Sequence, residues 1–174
     1  MLVTLFKNYF EICLLRKNPQ DLPRSAELLA VSLALYIAIS TLVIVYSAPL
    51  ATAMASSVIE ILLVSLITWV ILRLHKKPER LMQTLTAIVG TGCIISLFAI
   101  PLIYSGMLWQ TGEVLQSVAA LFYLALVIWN IMILGHILRH ALATTLGFGI
   151  VFAIIYIVIT TYLISLVFPA IGSQ

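Results

Sequence analysis

The sequence predicts an all-α integral membrane protein: a bundle of five transmembrane helices preceded by an N-terminal amphipathic interfacial helix. Three observations predict it. Hydrophobic residues make up 63% of the chain and charged residues only 9%, against roughly half and a quarter in a soluble domain. Such a chain has too few polar groups to cover its own surface, so lipid is its solvent and the bilayer its first partner. The apolar residues also gather into five runs, at about 26–47, 52–74, 82–104, 115–137 and 146–168, each near the ~20 residues that cross a ~30 Å hydrocarbon core. Backbone groups in hydrocarbon must be satisfied within their own segment, so these runs are helices rather than strands.

The elements follow in order. Residues 1–17, MLVTLFKNYFEICLLRK, are too short and too polar to span, and no small-residue cleavage site follows as it would in a signal peptide. On a helix, Thr4, Lys7, Asn8 and Glu11 form one polar stripe, with Leu2, Val3, Phe6, Phe10, Ile12 and Cys13 mostly off it. This is an amphipathic helix in the membrane interface, laid either on lipid or on the other helices. Residues 18–25 form a connector in which Pro19 and Pro23 block helix continuation, and Asp21 or Ser25 caps the next helix. Residues 26–168 are the five-span domain, and 169–174 a short outer tail.

Orientation is read from the nine Lys and Arg. Lys7, Arg16, Lys17 and Arg24 precede the first span, Arg73, Lys76, Lys77 and Arg80 lie between spans two and three, and Arg139 follows span four. The opposite loops, around Pro49 and from Ser105 to Val114, hold none, and neither does the tail. This bias puts the N-terminus in the cytoplasm and the C-terminus outside. Tyr104 and Trp109 on the outer loop and Trp69 near the inner end of span two suit interfacial anchoring. The net charge of +3 is no nucleic-acid footprint, because the cations sit in loops beside apolar spans. Small residues mark faces for close helix approach or self-association: Gly92, Ser96 and Ala99 on span three, Gly149 and Ala153 on span five.

Sites of chemistry are few. Cys13 and Cys93 lie in different segments and do not suggest a disulfide. His75, His136 and His140 fall at the inner ends of spans two and four, the last two at i, i+4. They are the only candidates for a metal, and without an accompanying acid or cysteine they do not make a site. No catalytic motif is visible and no cofactor is implied. Glu60 differs in kind, being the one formally charged residue well inside an apolar run, with its Cα about 5 Å from the midplane. An ionised carboxylate there is costly, so it must be protonated, hydrogen-bonded or reached by water. Ser40, Thr41, Tyr123, Thr160 and Thr161 lie at similar depth and could complete an intramembrane polar site. Glu60 is then either a structural residue bonded to hydroxyls or a working carboxylate for proton coupling, a cationic ligand or a partner helix.

The five-span plan and the stretch LHKKPERLMQTLTAIVGT, Leu74–Thr91, a basic loop feeding a Gln/Thr/Ala/Gly-containing span, resemble the Ypt-interacting-protein (Yip-type) membrane family. The likeness continues through Pro101 and WNIMILGHILRHA from Trp129 to Ala141 and covers residues 26–168 as pattern. It implies the five-span fold and a non-enzymatic role in association with membrane proteins or lipids. Of the Asp-Leu-Tyr-Gly-Pro stretch of eukaryotic members only Asp21, Leu22 and Pro23 have echoes, and the leading region is short. That departure counts against GTPase binding and makes the chain look like a short bacterial member. The alternative is a small carrier or channel subunit that uses Glu60 for proton or cation coupling, and a membrane enzyme comes third.

The charge bias predicts an accessibility pattern. In a Cys13→Ser, Cys93→Ser background, cysteines placed at Ser105 and Ser173 should react with an impermeant thiol reagent on intact cells, whereas one at Lys77 should react only after permeabilisation. Labelling at Lys77 in intact cells would reverse the orientation.

Overall fold

The computed structural model describes residues 2–108 and 113–168; Trp109 and the 169–174 tail lie outside them. Six α-helices follow one another: α1 (Leu2–Cys13), α2 (Ala26–Ile44), α3 (Leu50–Leu74), α4 (Leu81–Leu108), α5 (Glu113–Leu142) and α6 (Leu146–Val167). Five of them, α2 to α6, are long and apolar enough to cross a membrane. The protein is an all-helical, multi-pass membrane bundle.

Two helices outrun their expected limits. α4 runs through Pro101 to Leu108, because neighbouring helices in a bundle re-satisfy the group that an interior proline frees. α5 continues five residues past 137, through Arg139 and His140 to Leu142. Its last carbonyls are satisfied from outside the helix. Lys77 Nζ donates to the Leu142 carbonyl at 2.6 Å, Arg80 Nη1 to His140 and Ala141 at 2.8 and 3.2 Å, and Gln20 Nε2 to His140 at 2.8 Å. Cations at a helix C-terminus also complement its dipole. The basic loop between α3 and α4 is therefore the cap of α5 as well as a topology signal.

Three helices stop at this basic end in the same way. Leu15, Lys76 and Ala143 have φ of 60°, 57° and 54°, and the following residue donates back five positions: Arg16 to Glu11, Lys77 to Leu72 and Thr144 to Arg139, at 2.8–2.9 Å. This closes the last turn as a Schellman cap, without the glycine that usually occupies the left-handed position. At the start of α2, Ser25 accepts from the Leu28 N–H, one of the two caps expected. The connector is held by the buried Gln83, whose amide donates to the carbonyls of Gln20 and Leu22 at 2.8 and 2.7 Å while its oxygen accepts from Arg24 Nε at 3.2 Å.

The spanning helices close into a ring, since α2 packs on α3, α3 on α6, α6 on α5, α5 on α4 and α4 on α2. α1 packs on α4 and buries Tyr9, Ile12 and Cys13, so one face of it rests on protein while Phe6 and Lys7 stay exposed. The Tyr9 hydroxyl meets Ser32 Oγ at 2.7 Å, and Trp129 Nε1 donates to the Cys13 carbonyl at 2.9 Å. Ser32 is six residues into α2, about 9 Å along its axis. α1 therefore reaches inside the level of the helix ends.

Glycine permits close approach at three places, the first being Gly90, where a Cβ would come within 2.5 Å of the Tyr9 ring of α1. A Cβ on Gly92 would come within 2.7 Å of the Tyr36 ring, so this glycine leaves room for a side chain rather than for another backbone. On α6, a Cβ at Gly149 would collide with the Gly135 carbonyl oxygen of α5, and one at Gly135 would lie 2.9 Å from Ile150 Cγ1. Helices α5 and α6 thus touch backbone to backbone. Gly149→Ala should lower stability by about 1–3 kcal/mol, the backbone clash outweighing the roughly 1 kcal/mol that alanine gains in helix propensity. Melting curves in detergent check this, and an alanine variant as stable as the parent would contradict the close crossing.

Candidate functional site

The site starts from α2 and α3. Tyr36 and Ser40 are i, i+4 on α2 and so share a face. Both reach Glu60 on α3: the Tyr36 hydroxyl donates to Oε1 at 2.8 Å, and Ser40 Oγ to Oε2 at 3.0 Å. Each carboxyl oxygen has one protein donor and a remaining lone pair. One turn outward, Thr41 Oγ1 donates to Ser57 Oγ at 3.2 Å, and Ser57 Oγ donates to the Ala53 carbonyl at 3.0 Å. The α2–α3 seam is thus a polar ladder in which every rung is a hydroxyl or carboxyl group.

Beside this ladder, at the centre of the ring, lies a cavity of about 270 Å³. All five spanning helices line it. Tyr36 comes from α2, Glu60 from α3, Thr91 from α4, Asn130 from α5, and Tyr156 and Thr160 from α6. Each of these is within four residues of the middle of its helix, or about 6 Å along the axis, so the cavity sits at mid-membrane depth. Its polar groups differ in what they already hold. Tyr156 donates to the Val64 carbonyl at 3.2 Å, and Thr91 and Thr160 donate to carbonyls one turn back on their own helices at 2.8 Å. Among the described residues no hydrogen bond engages the Asn130 amide or the Thr161 hydroxyl; both residues line the cavity, Thr161 at an exposed position.

Of the residues expected to join Glu60, Ser40 binds it, Thr160 and Thr161 line the cavity, and Thr41 sits one rung away on Ser57. Tyr123 does not join them. It is 52% exposed, in a stretch of α5, residues 120–125, that is exposed throughout. α5 buries its residues towards its other end, among them Ile133 to Leu138, and this part of it faces outward. Tyr36, Tyr156 and Thr91 are additions to the expected set, and Asn130, which residue counting puts nearer the cytoplasmic side, also lines the cavity. For the tyrosines a signal existed: each lies four residues before a hydroxyl residue singled out at this depth, Ser40 or Thr160.

The histidines are engaged elsewhere. His136 Nε2 donates to the Lys17 carbonyl at 3.1 Å, Arg139 Nε donates to His140 Nε2 at 3.0 Å, and the two imidazoles stack edge to face with centroids 4.7 Å apart. His75 bonds through Nδ1 to the Ile71 carbonyl at 2.9 Å and sets its ring edge on Phe152. Among the described residues no three His, Cys, Asp or Glu side chains gather as metal ligands.

No family model, curated protein or solved structure matches the chain.

The hydrogen bonds make Glu60 a measurable tie between α2 and α3. Glu60→Leu should cost about 1–2 kcal/mol, and Tyr36→Phe about 0.6 kcal/mol, as for other hydrogen bonds within a bilayer. Glu60→Gln keeps an acceptor and a similar size and should melt close to the parent. Detergent melting curves of the three variants check the order, which fails if Leu melts with the parent.

Proposed function

We propose that this multi-pass membrane protein is a small non-enzymatic carrier, whose working site is the cavity at Glu60. The observation that supports it is the cavity itself, a polar space at mid-depth, walled by every spanning helix and faced by one carboxyl group. Intramembrane acids mark ion or substrate pathways more often than they mark packing, and carriers place their binding sites near the midplane, between helices that move against each other. Glu60 is neutralised in hydrocarbon either by a proton or by a bound cation, and alternation between the two would couple one to the other. The ladder of hydroxyls along α2 and α3 continues from Glu60 to Ser57 and Thr41, and supplies polar groups on the side away from the basic end.

A second reading, association with other membrane proteins in the manner of the Yip-type family, is supported by the five-span plan and by the basic loop before α4. In that case Glu60 only holds α2 to α3.

Proteoliposomes separate the two. With sodium, potassium and tetramethylammonium salts tried in turn, an imposed pH gradient should decay faster with the parent protein than in empty vesicles for at least one cation. Glu60→Gln should return the decay to the empty-vesicle rate, even though it folds. Equal decay in parent and empty vesicles for all three salts would remove the carrier and leave association.

A further inference from the structure

We infer that the cavity at Glu60 takes a small organic ammonium ion, a cation with a hydrocarbon body of a few carbons, rather than a metal ion, an anion or a neutral solute. This rests on the reading of the cavity as a solute site and names the class of solute.

Charge comes first. Among the described residues Glu60 is the one charged side chain lining the cavity, and no Lys, Arg or His shares it. All nine Lys and Arg of the chain fall before α2, at or between the basic ends of α3 and α4, or near the end of α5. An anion would meet an uncompensated carboxylate in a medium of low dielectric. A cation would meet the only formal charge the site offers.

The walls then choose between kinds of cation. A hard metal ion wants six or more oxygen ligands around it. Here the polar groups share the cavity with Val64, Ile88, Ile133, Leu134 and Ile157, which cannot replace a hydration shell but suit methylene and methyl groups. Two carboxyl lone pairs left over from Tyr36 and Ser40, the unengaged Asn130 amide oxygen and Thr161 together offer acceptors for the N–H groups of an ammonium head. The volume of about 270 Å³ equals that of about nine water molecules at ~30 Å³ each. It admits a ligand of up to on the order of ten non-hydrogen atoms.

The test uses the full chain in lipid nanodiscs and reads ligand-dependent melting temperature. Butylammonium chloride should raise it saturably. Sodium chloride at the same ionic strength should not, and neither should butyramide, a neutral molecule of similar size. Glu60→Gln should weaken the butylammonium response by about a hundredfold or more, as when one partner of a buried charge pair is removed. Ile157→Trp, which fills the cavity from α6 and keeps Glu60, should abolish it as well, and it stands as the test if the Gln variant does not fold. A response to butyramide alone, or to sodium alone, overturns the ammonium and leaves a solute site standing. No response to any probe removes the solute site too. A butylammonium response that survives Ile157→Trp puts the binding elsewhere and overturns the proposal.

Discussion

A carboxyl group in hydrocarbon needs partners for both its oxygens, and Glu60 finds them on a single neighbouring helix. Between membrane helices there is no hydrophobic force to speak of, since lipid tails are as apolar as leucine, so directional bonds and close backbone contacts decide which helix meets which. The Tyr36 and Ser40 bonds set α2 against α3 in one register. That register puts the Tyr36 ring against Gly92 of α4, which in turn holds α4 on the other side of the ring. One acid thereby places three of the five spanning helices around the cavity that it lines.

The far side of the ring is held by a different device. α5 and α6 meet at Gly135 and Gly149 with no side chain between the backbones, and a hydrophobic cluster that includes Leu134, Leu138 and Ala153 continues that seam. The tight seam lies towards the basic end of α5 and α6, whereas the polar seam lies at the level of the cavity and beyond it. One tolerates no added methyl group, and the other is built of hydroxyls that can exchange partners.

Much of this was legible in the sequence because lipid imposes so few solutions. Five apolar runs of bilayer length admit only helices, and the cations stand out because they gather outside those runs or at their ends. Glu60 stood out for the same reason. What escaped was phase. Tyr123 has the depth of Glu60, yet apolar residues surround each helix on every side, so no hydrophobic face tells which residues turn inward. Tyr156 was hidden by the same uniformity. The end of α5 escapes because its capping groups, Lys77, Arg80 and Gln20, lie 60 or more residues from the carbonyls they bind; a local reading sees only a polar segment where a helix ought to stop.

The seat of α1 has a consequence for how the protein is made. Its partners are Ser32 on α2, Gly90 on α4, and Trp129 on α5, with His136 holding the Lys17 carbonyl just beyond it. α1 precedes all of them in synthesis. During translation its seat is incomplete until α5 has entered the bilayer, because Trp129 and His136 supply the last of its partners. The full seat of α1 therefore spans three helices of the ring, and it is completed only when the last of them, α5, has been made.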